Sequence, residues 1–333
     1  MEIEKWILAN GSMTDIHLTE GEPVVIRQNG NLRKMKEMAD ISLFHELFEK
    51  YLSPSKKAEF GEKGSCDDAF SVGNTRIRLH IYQSFGKMAA ALRILPDLSL
   101  LPPDPDKDWL EKTAALDHGL VLICGPSGSG KSTTLSRLIS LINTRRACHI
   151  VTLEDPVEYC ISSVKSLVHQ REVGRDVPSF AEGIRDSLRE DPDIIAVGEM
   201  RDSATISAAL TAAETGHLVL GTLHTTRAAD SVSRIIHAYS GEREREARSL
   251  LSASLKTVCA QQLYRTAKDT ILLREILTNT PAISHLIREG KEEQIPSYME
   301  MGLHQMRTLK QAAYGLRNIS ERERDKLLKY LEL

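Results

Sequence analysis

The stretch Gly125-Pro-Ser-Gly-Ser-Gly130-Lys131-Ser132 fits the pattern G-x-x-x-x-G-K-[ST] without remainder. It constrains the fold more than anything else in the chain, because the motif works only between a buried strand and the start of a helix. Both neighbours can be read. Leu120-Val-Leu-Ile-Cys124 is an unbroken apolar run, the pattern of a parallel strand covered on both faces. Thr133 to Ile142 follows with helical spacing. The residue types have physical reasons. Glycines let main-chain N–H groups turn in on an anion with no side chain in the way, and the helix N-terminus adds partial positive charge. Lys131 brings a full charge for β- and γ-phosphates, and Ser132 a hydroxyl for Mg²⁺. A turn that merely joined strand to helix would have no use for Lys-Ser at those two places. Gly125, Pro126, Ser127, Gly128, Ser129, Gly130, Lys131, Ser132 and Thr133 are therefore the candidate residues for a nucleoside triphosphate.

Around this loop the strand–turn–helix pattern repeats. His149-Ile-Val-Thr-Leu153, Ile194-Ile-Ala-Val197 and Leu218-Val-Leu-Gly-Thr-Leu223 are apolar runs with helical patterns between them. Such alternation implies a parallel sheet with helices on its faces. The last seventy residues read as largely helical, with Thr280 capping, Pro281 in the first turn and Gly290 closing one helix. The first hundred residues differ. Pro23 to Arg27 reads as a strand entering an Asn29-Gly30 turn, Ile41 to Leu52 as an amphipathic helix, and Arg76 to Tyr82 and Ala89 to Leu95 as strands. Leu101-Pro-Pro-Asp-Pro-Asp-Lys107 has linker chemistry. The expected division is residues 1–100, a linker over 101–118, and 119–333.

Composition narrows the function classes. The chain has 333 residues, with 43 Lys and Arg against 46 Asp and Glu, a net charge of −3. A nucleic-acid-coating protein would carry a basic excess. The five cysteines are odd in number and scattered, with no C-x-x-C pair, so neither a zinc site nor a disulfide framework is expected. The N-terminus is acidic where a secretory signal needs positive charge. Even the least charged stretch, Ser203 to Thr226, is broken by Glu214, His217 and His224, so a soluble, cytoplasmic chain is expected.

Binding a triphosphate is not hydrolysing it; turnover needs a carboxylate that orders metal and water. Asp193-Ile-Ile-Ala-Val-Gly-Glu199 is an apolar strand ending in an acid, with Gly198 where many such enzymes carry the magnesium aspartate. Glu199 is the candidate for holding Mg²⁺ through water or polarising the nucleophile, against the plainer reading of a solvated strand end. Thr152-Leu-Glu154-Asp155-Pro-Val-Glu158-Tyr159 leaves a second strand. Glu154 and Glu158, four apart, would repel on one helical face unless a cation or an arginine lay between them. Asp155, before Pro156, reads equally as a turn cap. Two histidines, His217 and His224, bracket the Leu218–Leu223 strand, and His224 stands at the C-terminal end, where ligands bind in parallel sheets. Arg185 and Arg189 read as a solvated helix face.

In order, the loop, the TLEDPVEY box, the DPDIIAVGEMRD box and the GHLVLGTLHT box closely resemble the secretion ATPase superfamily. Within it the chain is similar to the PilT family of type IV pilus retraction (twitching-motility) ATPases. The resemblance runs from about Thr14 to Leu309 and takes in Asp15-Ile-His-Leu18, His169-Gln-Arg-Glu172 and Pro281-Ala-Ile-Ser-His-Leu-Ile-Arg-Glu289. The last matches the AIRNLIRE helix of retraction motors, with Ser284 and His285 in place of Arg and Asn. The resemblance implies an α/β fold: a PAS-like α+β N-terminal domain, then a RecA-like P-loop domain with a mostly parallel central sheet. It implies ATP and Mg²⁺ as ligands, and catalytic roles for Glu154 or Glu199 on water, for His224 at the γ-phosphate, and for Arg76 and Arg78. Arg93 is divided between such a role and the solvated face of its strand. The family also implies a homohexamer peripheral to the inner face of the cell membrane, acting through a membrane platform protein and not on nucleic acid. The absence of a four-cysteine zinc insertion favours retraction over the sister assembly and export ATPases. A RecA-like DNA motor is disfavoured by the charge balance.

Overall fold

The computed structural model describes residues 2–9, 13–28, 30–73, 75–95, 97–239, 241, 243–266, 270–317 and 319–331. They form two compact units. One comprises Met1–Pro102 with the segments Asp155–Cys160 and Glu172–Asp176; the other comprises Pro103–Glu154, Ile161–Arg171 and Val177–Leu333.

The first unit is built on strands β1 (Met13–Thr19), β2 (Glu22–Gln28), β3 (Asn31–Ala39), β4 (Ser65–Val72), β5 (Thr75–Ser84) and β6 (Lys87–Ile94). They form a six-stranded sheet in the order β3-β2-β1-β6-β5-β4, with each assigned pairing antiparallel. The alternation expected of β5 is present: Ile77, Leu79 and Ile81 are fully buried, while Arg76, Arg78 and His80 lie on the other face. The Asn-Gly turn falls partly on Asn29, which lies outside the described residues. The amphipathic segment at Ile41 starts as a helix (Ile41–Glu46) capped by Asp40 and widens into a π-turn at Leu47–Tyr51, with Leu43, Phe44 and Leu47 in the core. Sequence pattern did not flag β4, whose Asp67 and Asp68 break its apolar run; Asp68 is buried and accepts the Ser53 N–H at 2.9 Å.

The second unit holds β7 (Gly119–Cys124), β8 (His149–Glu154), β9 (Leu167–Glu172), β10 (Ile194–Val197), β11 (Leu218–Leu223), β12 (Leu255–Arg265) and β13 (Thr270–Thr278). Their order is β13-β12-β7-β11-β10-β8-β9. From β12 to β8 the pairings are parallel, and β12 with β13 is antiparallel. Every residue of β7, β10 and β11 is buried, each aliphatic side chain contributing about 1.5–3 kcal/mol on burial. The mostly parallel α/β sheet anticipated from the alternation is therefore present.

The last seventy residues depart from the largely helical reading at β13, which forms a long hairpin with β12, a strand left unassigned in the sequence just ahead of them. Its buried positions include Thr257, Gln261, Arg274 and Glu275, so the apolar run that identifies a central strand is interrupted by polar side chains. The helix at Pro281–Glu289 has the punctuation read for it: the Thr280 hydroxyl accepts the Ile283 N–H, and Gly290 closes at φ 70°. The linker-like composition also conceals anchorage. From Asp104 onward the chain is fastened to the second unit by Arg274, and Trp109 and Leu110 sit in its core.

Candidate functional site

Parallel strands put all their C-terminal ends on one edge, and ligands of open α/β sheets bind there. In the second unit β7, β11, β10 and β8 are successive neighbours, with Cys124 level with Leu223, and Val197 level with Gly221 and Leu153. The glycine loop, His224, Glu199 and Glu154 thus leave the sheet side by side along one edge, although they are separated by 22 to 99 residues in sequence.

The loop leaves β7 at Gly125 and feeds the helix Lys131–Arg145. A Cβ on Gly125, whose φ is +149°, would come within 2.4 Å of both the Gln261 carbonyl and Ser129 Oγ, so only glycine fits. Gly130 caps the helix at φ 87° with no side-chain hydrogen bond, leaving the first helical N–H groups to an anion. The Lys131 ammonium donates to the carbonyls of Gly125 (2.8 Å) and Pro126 (3.1 Å), which keeps it at the loop. Gln261 donates its amide N–H to the Ser129 carbonyl at 2.7 Å. The Ser129 hydroxyl is buried without a partner among the described residues. An orphaned hydroxyl, uncapped amides and a glycine-only turn together fit a phosphate chain. Beneath the loop, burial pushes the Cys124 thiol up to about 11, so it stays a neutral packing group.

Glu199 is mostly buried and receives two cationic or polar groups: His224 Nε2 lies 2.7 Å from its Oε1, and Arg201 Nε bonds the same oxygen. With Met200, Leu223, Thr225 and Arg234 these residues line a cleft of about 540 Å³. Glu154, ending β8, accepts from Thr152 Oγ1 (2.7 Å) and Gln170 Nε2 (3.0 Å). Its neighbour Glu158 does not share a helix with it, since β8 ends at Glu154 and the chain turns away through Asp155 and Pro156. His217, in contrast to His224, is a structural group: its Nδ1 meets the Ala212 carbonyl at 3.0 Å.

Arg76 and Arg78 belong to the first unit. Arg76 Nε donates to the Val157 carbonyl at 2.9 Å and its guanidinium lies 3.7 Å from Glu172. Arg78 lies 3.6 Å from Glu158 and 3.8 Å from Asp67, so an arginine does stand beside the second glutamate of the TLEDPVEY box. Burial raises the Glu172 carboxyl above the ordinary glutamate range, and the Val157 N–H that it accepts opposes the rise. Arg93, two-thirds exposed, pairs with Asp15 across β1 and β6 at 3.0 Å. Ser284, where AIRNLIRE helices carry arginine, donates to the Ser252 carbonyl at 2.7 Å.

Two side chains at these sites went unflagged in the sequence: Gln170 on Glu154 and Gln261 on the loop; Arg201, on Glu199, was read only as an arginine near the strand tip. Gln170 lies within a box that the pattern had singled out. Gln261, by contrast, sits in a strand that the sequence pattern left unassigned.

The family model for "Type II/IV secretion system protein" matches residues 87–321. The chain is 40% identical over 298 residues to the type IV pilus retraction ATPase PilT of Pseudomonas aeruginosa, covering 88% of this chain and 87% of the relative. It is 39% identical over 299 residues to a twitching motility protein of Neisseria gonorrhoeae, covering 88% of this chain and 80% of that one. Its fold is similar to a crystal structure of the pilus retraction motor PilT with bound ADP, with a TM-score of 0.85 at 38% identity, over 98% of this chain and 95% of that one. A nucleotide loop, an acid–histidine pair and a second carboxylate along one sheet edge, in a chain so matched, belong to an ATPase of the type II/IV secretion system family, in its PilT branch.

Proposed function

We propose that the protein is the motor of type IV pilus retraction, working as a homohexamer at the inner face of the cell membrane through a membrane platform protein. The alignment of the 125–132 loop, Glu199–His224 and Glu154 along one sheet edge carries this reading, together with 40% identity to a retraction ATPase. No helix among the described residues is long and apolar enough to cross a membrane, in keeping with a peripheral position.

Within this reading, ATP supplies the γ-phosphoryl group to be transferred to water, and Mg²⁺ neutralises its developing charge. Lys131 and the main-chain amides from Gly128 to Ser132 hold the phosphates. Ser132 and Glu199, the latter through water, would hold the metal. Among the described residues no cluster of three or more acidic, histidine or cysteine side chains is poised for a metal; magnesium needs none, since it takes one or two protein oxygens beside phosphate and water. Glu154 or Glu199 orients the attacking water. His224, already on the Glu199 carboxylate, reports the γ-phosphate to it. Arg76 and Arg78 supply positive charge to the transition state, a contribution of about 10³–10⁵ in turnover for such an arginine. Phosphate loss is turned into movement by a hinge-type transition.

A strain lacking the gene is the test. It is expected to carry surface pili that do not shorten, and Lys131→Ala should fail to restore shortening because it removes the charge on the phosphates. Loss of all pili in the deletion strain would instead assign the protein to assembly.

A further inference from the structure

Arg274, on β13, has a side chain with no solvent exposure at all. A buried guanidinium must be paired, and two aspartates from the segment entering the second unit do this. Asp104 accepts from both terminal nitrogens, one at 2.8 Å, and Asp106 lies at 3.3 Å. Arg137 reaches Asp104 at 3.2 Å, and Arg307 bonds Asp106. Were this all, the cluster would be a clip holding a strand to the segment at Asp104–Asp106.

One donor points elsewhere. Arg274 also donates to Thr134 Oγ1 at 2.9 Å, on the helix that the glycine loop feeds. The threonine hydroxyl has a single proton, and with Arg274 donating to its oxygen that proton goes to Gln261 Oε1, at 2.9 Å. The orientation of the Gln261 amide follows: its oxygen faces Thr134, so its nitrogen faces the Ser129 carbonyl, 2.7 Å away. Without Arg274 the hydroxyl would be free to accept from the amide nitrogen instead. The amide oxygen would then oppose the Ser129 carbonyl, acceptor against acceptor. Gln261 also packs directly on the loop, since a Cβ on Gly130 would lie 3.3 Å from Nε2.

We infer that Arg274 is a positioning residue for the nucleotide site: through Thr134 it sets the polarity of Gln261, which draws back the Ser129 carbonyl and leaves the loop's amides facing the phosphates. The inference rests on the loop being the nucleotide site. It makes phosphate grip depend on the Asp104–Arg274 pair, and so on how the chain enters this unit.

The test compares Thr134→Val, Gln261→Glu and Arg274→Lys with the wild type. Three quantities are measured: the dissociation constant for a fluorescent ADP analogue, amide hydrogen exchange over residues 125–132 without nucleotide, and the melting temperature without nucleotide. Thr134→Val keeps the side-chain volume and the buried ion pairs, so it decides the question alone if an Arg274 variant does not fold. It is expected to weaken ADP binding about tenfold, the loss of one hydrogen bond's worth of affinity, and to speed exchange in the loop. Adding Arg274→Lys to Thr134→Val should weaken binding no further, because both break one relay. Melting-temperature losses with unchanged ADP affinity and loop exchange would overturn the inference and leave Arg274 a structural clip. Lys131→Ala is the reference: if it bound ADP as the wild type does, the assignment of the loop itself would fail, whatever the other variants did.

Discussion

Gly198 shows how a single position decides which acid serves the site. A Cβ there would meet the Leu153 carbonyl at 3.0 Å and Glu154 Cα at 3.3 Å, because β10 and β8 approach closely where their chains leave the sheet. An aspartate at that place would have to push the β8 backbone aside by a few tenths of an ångström, and the carboxylate stands one residue later, at Glu199. Gly198→Ala is expected to cost about 1–3 kcal/mol through overpacking, read as a lowered urea midpoint. Glu199→Gln keeps the volume and removes the charge; ADP affinity should persist while turnover falls by about 10²–10⁴. Undiminished phosphate release by that variant would move the water-orienting role to Glu154. The two histidines separate at the same scale. His224 faces a carboxylate and His217 a backbone carbonyl, a distinction that their matching positions at the ends of one strand did not reveal.

Among the elements, the hairpin of β12 and β13 bears on both stability and the loop. Burial opposes ionisation of Asp104, yet the hydrogen bonds and charge of Arg274 outweigh it and hold the carboxyl below the ordinary aspartate range. The folded pKa is thus lower than the unfolded one. The pair's contribution is complete above the ordinary aspartate value, about 3.9, and is lost as the pH falls through the depressed value. Asp104→Asn should therefore be less stable than the wild type at pH 7, by about 3–5 kcal/mol for a broken buried pair. The gap between the two urea midpoints should close as the pH is taken below about 4; a gap independent of pH would rule out the charge as its source. The same hairpin explains a misreading. Strands are recognised by apolar alternation, and here the buried positions carry Thr257, Gln261, Arg274 and Glu275, which partner groups far away in sequence.

For the whole molecule, sedimentation velocity with a non-hydrolysable ATP analogue and Mg²⁺ should show a homohexamer; a particle that remains monomeric at every concentration would count against that assembly. The motor reading was legible early because its chemistry is local. A glycine loop with Lys131 and Ser132, an acid at a strand tip, and a histidine at the end of the next strand are each set by residues adjacent in sequence, and the alternation of strands and helices dictated a parallel sheet. Which groups meet across the sheet was not legible. Strand order brought Glu199 to His224, Gln170 to Glu154 and Gln261 to the loop. Burial turned a proline-rich, charged segment into the counter-ion of Arg274. The sequence determined what each short segment can bind, since that depends on neighbouring residues; tertiary structure decided what holds each segment in place, since a buried polar group takes its partner from wherever the fold supplies one.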